Sequence, residues 1–109
     1  MQDIISQLNS DLTMLQAVID ERFEVAQARS NAEYAYRVAL GKAMAAAKLN
    51  GMAATALYEY CRGMEEIADL RCKRDILQAQ EDRLSDLIYY YRTDIRVNEG
   101  HLAAERKGL

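Results

Sequence analysis

Apolar residues recur at helical spacing through two long stretches of this chain, Met1–Lys48 and Met64–Lys107. The whole chain contains no proline and only five glycines, so little in it interrupts a helix. In the first stretch a seven-residue frame places large apolar side chains on one line: Ile5, Leu8, Leu12, Leu15 and Ile19. This spacing of three and four residues is typical of a helix that packs along another helix.

The frame of the first stretch breaks near its middle. Arg22, Arg29 and Glu33 fall where the frame asks for leucine, and the apolar stripe moves by one position to Phe23 and Ala26. The stripe then continues through Tyr36, Val38, Leu40, Ala43 and Ala47. A shift of one position is expected where a helix with 3.6 residues per turn stops supercoiling strictly. The first helix is therefore predicted to continue through the break.

The second stretch carries one seam along its length. Its apolar members are Ile67, Leu70, Leu77, Leu84, Ile88, Tyr91, Ile95 and Leu102. Arg74, Glu81 and Asn98 occupy the intervening seam positions. If the two stretches fold back on each other with residue numbers that add to about 114, Leu12 faces Leu102 and Ile19 faces Ile95.

The segment Leu49–Gly63 predicts a hinge between the stretches. Asn50 and Gly51 tolerate a left-handed conformation and so mark a helix end, and Gly63 is expected to end a short helix in the same way. The prediction is an all-α protein with one domain, an elongated, coiled-coil-like antiparallel hairpin with a short helix at its tip. The expected elements are a long helix over about 2–49, a short one over about 53–62, a long one over about 64–99 and a frayed tail over about 100–109.

Two long helices bury little apolar area within one chain. A second copy or a partner protein is expected to complete the core, and we predict a homodimer that forms a helical bundle.

Charge and cysteine content limit the expected partners and the expected cellular compartment. The net charge is −3 and the pI about 5.1, so nothing attracts the whole chain to nucleic acid or anionic lipid. Cys61 and Cys72 are too few for a zinc site, and free thiols suit a reducing compartment. No signal peptide or membrane span is recognisable, so a cytoplasmic protein is expected, in the host cell if a phage encodes it.

The hinge and the start of the second stretch carry the strings Lys48–Leu57, Arg62-Gly63, Ile67–Arg71 and Arg74-Asp75. Over about residues 34–100 the chain resembles a group of small uncharacterised phage and prophage proteins that have no known activity. It departs from that group at Ala53, where proline is usual, and in lacking an arginine–glutamate–tryptophan ending. The resemblance implies a phage-borne accessory protein.

Catalysis is not predicted. His101 is the only histidine and lies in the expected tail, so no histidine-activated nucleophile has a scaffold. Neighbouring carboxylates such as Glu65 and Glu66 point to different helix faces. We predict a non-enzyme with no cofactor and no metal.

Protein binding is the predicted mode of action. Tyrosine and arginine are enriched at the centres of interfaces, and Tyr89, Tyr90 and Tyr91 precede Arg92. Three consecutive helical residues span too wide an arc to face one core, so at least one of these rings must be exposed or contact another chain. The same choice applies to Tyr34 and Tyr36 in the first stretch, and we assign both to the predicted protein interface. Rings that merely lie along neighbouring side chains are the alternative.

The function predicted is a phage or prophage accessory protein that binds itself and a host or phage protein. One concrete form is inhibition of a bacterial defence complex, in the manner of an anti-CRISPR protein. An acidic face that imitates nucleic acid would use Asp3, Asp11, Asp20, Glu21 and Glu24, although an ordinary solvated face explains them as well.

The alternative function is a nucleic-acid-binding accessory or regulatory factor. Gly51–Gly63 has the length and placement of a helix-turn-helix element. Its contacts would be Arg62, Arg71, Lys73 and Arg74, although the candidate reading helix carries only one cation.

Overall fold

A computed structural model describes residues 2–108, and this range forms three helices in a hairpin-like order. Helix α1 spans Gln2–Leu49, α2 spans Ala54–Arg62 and α3 spans Glu65–Gly108. The predicted all-α class is confirmed, since no described residue lies in a strand.

Helix α3 continues well beyond the predicted end at about residue 99. Residues 103–107 read Ala-Ala-Glu-Arg-Lys, which are all strong helix formers, and Leu102 remains half-buried. These preferences outweigh the glycine at position 100. Leu109, the last residue of the predicted frayed tail, lies outside the described residues.

The end of α1 has the predicted glycine stop. Gly51 has a φ of 91°, in the left-handed region that glycine adopts most easily. Its N–H donates to the carbonyl of Lys48, and the N–H of Met52 donates to the carbonyl of Ala47. This pair of hydrogen bonds is the Schellman motif, which satisfies carbonyl groups that a helix end leaves open.

Gly63 was expected to be left-handed as well, and that expectation is wrong. Its φ is −83° and ψ is −9°, inside the right-handed helical region. The chain passes from α2 into α3 through residues 63 and 64 alone, with Met64 N–H bonded to the carbonyl of Cys61. A turn this short needs no left-handed residue.

The packing divides into two units. Unit 1 combines α1 up to Glu24 with α3 from Glu81 onward, and unit 2 is Val25–Gln80, which contains α2. The buried residues of unit 1 are Asp11, Val18, Glu81 and Leu84. Those of unit 2 are Ala32, Tyr36, Leu57, Cys61 and Ile67.

The seam predicted for α3 is confirmed, because all of its members are buried or half-buried. The seam predicted for the first half of α1 is partly wrong: Leu8 and Leu15 do lie inward, but Ile5, Leu12 and Ile19 are replaced on the inward line by the preceding residues Ile4, Asp11 and Val18. Leu12, Ile19 and Phe23 are exposed, and the inward line of α1 is instead Ile4, Leu8, Asp11, Leu15, Val18, Arg22, Val25, Arg29, Ala32 and Tyr36. This line keeps the three-and-four spacing throughout, but polar residues at three of its positions hide it in the sequence.

The predicted helix register is also wrong. It placed Arg22 opposite residue 92 and Glu33 opposite residue 81, whereas Arg22 bonds to Ser85 and Glu33 bonds to Arg74. Both contacts lie seven residues earlier on α3 than predicted. Registers one heptad apart place equivalent seam positions opposite each other, so apolar matching alone does not separate them.

Candidate interaction surfaces and polar clusters

The tyrosine run of α3 splits between the core and the surface of unit 1. Tyr91 is half-buried on the seam, as predicted, while Tyr89 is 73% exposed and Tyr90 is 57% exposed. The rings of Tyr90 and Tyr91 meet edge to face, with centroids 5.2 Å apart. Arg92 is also exposed, three residues after Tyr89 and therefore on the neighbouring face of the helix. We call Tyr89, Tyr90 and Arg92 the tyrosine surface.

The two tyrosines of α1 in unit 2 have opposite surroundings. Tyr34 is 72% exposed, but Tyr36 is 5% exposed. The sequence placed Tyr36 on the apolar stripe of the first helix, which agrees with its burial, but its assignment to a protein interface is wrong because its ring lies on the inward line of α1.

Tyr36 is the centre of a cluster that joins all three helices of unit 2. The guanidinium of Arg74 on α3 lies 4.6 Å from the centre of the Tyr36 ring, and Arg62 at the end of α2 donates a hydrogen bond to the Tyr36 side chain. Arg74 also donates to Glu33 on α1 at 3.1 Å and to Asp75 at 2.9 Å. We call Tyr36, Arg62, Arg74 and Glu33 the arginine–tyrosine cluster.

The charges in this cluster stabilise one another. The hydrogen bond from Arg37 and those from Arg74 hold the pKa of Glu33 below its usual value of 4.5. Burial lowers the pKa of Arg74, but its bonds to Asp75 and Glu33 outweigh this and raise it. The bond to Tyr36 raises the pKa of Arg62. All three groups are therefore charged near neutral pH.

This arrangement makes two of the four predicted nucleic-acid contacts less accessible to a phosphate. Arg62 and Arg74 are half-buried, and their charged groups already meet Tyr36 and Glu33. Arg71 is half-buried and Lys73 is exposed. A phosphate would have to compete with the internal partners of Arg62 and Arg74.

A second polar cluster lies in unit 1 around Asp11, which is 2% exposed. Gln7 donates to Oδ1 of Asp11 at 3.0 Å, while Oδ2 is buried with no hydrogen-bond donor among the described residues. The neighbouring group on α3 is the carboxyl group of Asp94, which accepts a hydrogen bond from Asn98 at 3.3 Å. We call Gln7, Asp11, Asp94 and Asn98 the carboxyl cluster.

The surroundings of Asp11 favour the protonated form of its carboxyl group. A hydrogen bond to Asp94 and burial both raise the pKa of Asp11 above 3.8, against smaller opposing effects of Gln7 and Asn98. Two carboxyl groups can share a hydrogen bond only when one of them is protonated. A proton on Oδ2 would give that buried oxygen the partner it otherwise lacks.

A third polar contact in unit 1 crosses the helices at Arg22. Its Nε donates to Oγ of Ser85 at 2.7 Å, and Nη2 lies 4.0 Å from the buried carboxylate of Glu81. The polar residues that interrupt the two seams thus contact each other. Arg22 pairs with Glu81, Glu33 pairs with Arg74, and Asn98 forms a hydrogen bond with Asp11.

These polar contacts were missed by sequence reasoning, yet the sequence carried a signal for them. Arg22 and Glu33 were recognised as breaks in one seam, and Arg74 and Glu81 as breaks in the other. Opposite charges at breaks in two facing seams favour the register that pairs them. Using that match would have corrected the register by one heptad.

Unit 1 also exposes a line of apolar side chains on α1. Its members, which we call the α1 strip, are Ile5, Leu12, Ile19 and Phe23. Leu12 is 53% exposed and Phe23 is 64% exposed. Sequence reasoning assigned all four of them to the intrachain contact, the first three on the seven-residue frame and Phe23 on the shifted stripe, so it found the pattern and assigned it the wrong partner.

The predicted acidic face is reduced by one member. Asp3, Asp20, Glu21 and Glu24 are exposed on α1, but Asp11 belongs to the buried carboxyl cluster. Asp11 therefore cannot contribute to a surface that imitates nucleic acid.

Sites for small ligands are poorly developed. A half-open cleft of about 350 Å³ in unit 2 is lined mainly by small and aliphatic side chains, with Asn31 and Lys73 as its polar members. Binding pockets usually enclose their ligand and aim several polar groups at it. Among the described residues, no three His, Cys, Asp or Glu side chains are grouped so that they could hold a metal ion.

Comparisons with family models, with curated proteins and with solved structures found no match to this chain. None of the described helices contains a stretch that is long and apolar enough to cross a membrane.

Proposed function

We propose that this protein is a non-enzymatic binding protein that acts by holding other proteins. The observation that carries the proposal is the tyrosine surface, where two adjacent rings, each more than half exposed, lie beside an exposed arginine. Single exposed aromatic residues are ordinary, but grouped tyrosines next to arginine have the composition of an interface centre.

The biological setting we propose is that of a phage or prophage accessory protein in the cytoplasm of a host cell. The support is the resemblance of residues 34–100 to small phage proteins. Inhibition of a bacterial defence complex is the concrete form of this proposal. Asp3, Asp20, Glu21 and Glu24 are exposed on α1 and supply negative charge for such an interaction.

Replacing Tyr89 and Tyr90 together with alanine is expected to weaken partner capture by about 1–2 kcal/mol, the scale of a lost interface anchor. The helix content should stay the same, because both rings point into solvent. The measurement is affinity purification of the tagged protein from phage-infected cells, followed by titration of the recovered partner. Circular dichroism checks the fold of the variant.

Tyr60→Ala is the matched control, because it removes an exposed tyrosine from α2 in the other unit. It should bind the partner like the unchanged protein. If the double variant binds equally well, the tyrosine surface is not the site. If the unchanged protein recovers no partner and alters no phage growth in a host that carries a defence system, the proposed function is wrong.

The nucleic-acid alternative is tested with labelled single- and double-stranded oligonucleotides. We expect no mobility shift at physiological salt, because Arg62 and Arg74 are engaged within unit 2. A shift that weakens steeply with salt would instead support nucleic-acid binding.

A further inference from the structure

The α1 strip lies beside the intrachain seam of unit 1. Leu12 follows the buried Asp11, and Ile19 follows the buried Val18. One residue turns a helix by about 100°, so the strip lies on the flank of α1, outside the contact with α3. Scattered exposed apolar residues need no explanation, but apolar residues aligned along one helix face indicate a binding surface.

The spacing of the strip indicates what covers it. Ile5, Leu12 and Ile19 are separated by seven residues each, and Phe23 lies one turn further on. Asn9 and Gln16 fill the intermediate positions, so the line keeps the three-and-four spacing of a helix–helix seam over about 27 Å. A seam of this length fits another long helix.

The strip is also self-complementary. In an antiparallel pair with a twofold axis at Leu12, Ile5 of each copy faces Ile19 of the other, and the two Leu12 side chains face each other. A closed twofold pair uses the same surface on both copies. Parallel pairing would instead place Asp20 beside Asp20 and Glu24 beside Glu24, and these like charges repel.

We propose that a second copy of this chain docks on the α1 strip, antiparallel, with Leu12 at the twofold axis. This inference rests on the proposed protein-binding function and adds to it a surface on α1, whereas the tyrosine surface lies on α3. In this proposal the strip binds a second copy of the chain, and Tyr89 and Tyr90 bind a different protein.

Light scattering at micromolar concentration tests self-association. The unchanged protein should give about twice the chain mass of 12.4 kDa. Leu12→Glu should give the single-chain mass and weaken dimerisation at least about 100-fold, because the twofold axis brings two buried charges together. Helix content should persist, since Leu12 is already half exposed. Ala17→Glu, which adds the same charge at another exposed position of α1, should remain dimeric.

Cysteine cross-linking tests the orientation. The background is Cys72→Ser, because Cys72 is exposed while Cys61 is buried. Leu12→Cys alone should form a disulfide-linked dimer under mild oxidation. Ile5→Cys and Ile19→Cys should link efficiently when mixed and poorly when each is alone. Efficient linkage of Ile5→Cys to itself, without linkage in the mixture, would indicate parallel pairing and overturn the proposal.

A single-chain mass for the unchanged protein, or a dimeric Leu12→Glu variant, would also overturn it. These failures are separate from a failure of the proposed function. A monomer that still captures a partner through Tyr89 and Tyr90 leaves the proposed function in place. A dimer that captures nothing supports the α1 strip and removes the support for a heterologous partner.

Discussion

Replacing Tyr36 with alanine is expected to lower the free energy of unfolding by about 3–5 kcal/mol, the usual cost of emptying a buried aromatic position. The ring is almost fully buried, and three helices of unit 2 meet around it. Its loss removes the apolar surface under Arg74 and the hydrogen-bond acceptor of Arg62. Urea denaturation followed by circular dichroism measures the change.

Tyr34→Ala is the matched control, because it makes the same change two residues away on the exposed side of α1. It should alter the free energy of unfolding by less than about 0.5 kcal/mol, as most surface changes do. Tyr36→Phe keeps the ring and removes the acceptor, so it should cost about 1 kcal/mol. Equal effects at positions 34 and 36 would contradict the role assigned to the arginine–tyrosine cluster.

Replacing Asp11 with asparagine is expected to raise the free energy of unfolding at pH 7 by about 1–2 kcal/mol, the scale of a buried polar group that gains its missing partner. At this pH the aspartate must either hold a proton or place a negative charge next to Asp94. An asparagine amide has nearly the same shape, carries no charge and can donate to Asp94. The same denaturation experiment measures the gain.

The pH dependence of this gain has a definite sign. Because the pKa of Asp11 is raised above 3.8 in the folded protein, the folded state binds more protons than the unfolded one as the pH falls. The stability that Asp11 contributes is thus fully present below about pH 3.8 and is lost as the pH rises through its folded-state value. The advantage of Asp11→Asn should therefore be largest at neutral pH and shrink in acid.

Asp20→Asn is a closely matched control for this experiment. Gln16 donates to Asp20 at 3.0 Å from four residues earlier on α1, as Gln7 does to Asp11, but Asp20 is exposed. Its substitution should leave stability nearly unchanged across the same pH range. A gain at position 20 as large as at position 11 would show that the effect comes from net charge and not from the carboxyl cluster.

The polar seam residues have a structural role beyond these two clusters. Partly buried ion pairs between helices add little net stability because each charge loses water, but they penalise registers that leave one of the charges unpaired. Glu81 meets Arg22 in unit 1, and Glu33 meets Arg74 in unit 2. We infer that these pairs select the observed register over the alternative one heptad away.

The sequence by itself determined the helical class, the inward seam of α3 and the glycine stop at Gly51. These features depend on local properties: the period of the apolar residues, the absence of proline and the conformational freedom of glycine. They are readable because each is set by residues close together in the chain.

Only the tertiary structure decided which face of α1 packs inside and where the helices are in register. The first half of α1 carries two lines of residues one position apart, and each line contains three leucine or isoleucine residues, so apolar content does not separate them. The inward line carries Arg22 and Tyr36, which contact Glu81 and Arg74 on α3. Those contacts join residues 59 and 38 positions apart in the chain, so the periodicity of one helix cannot specify them.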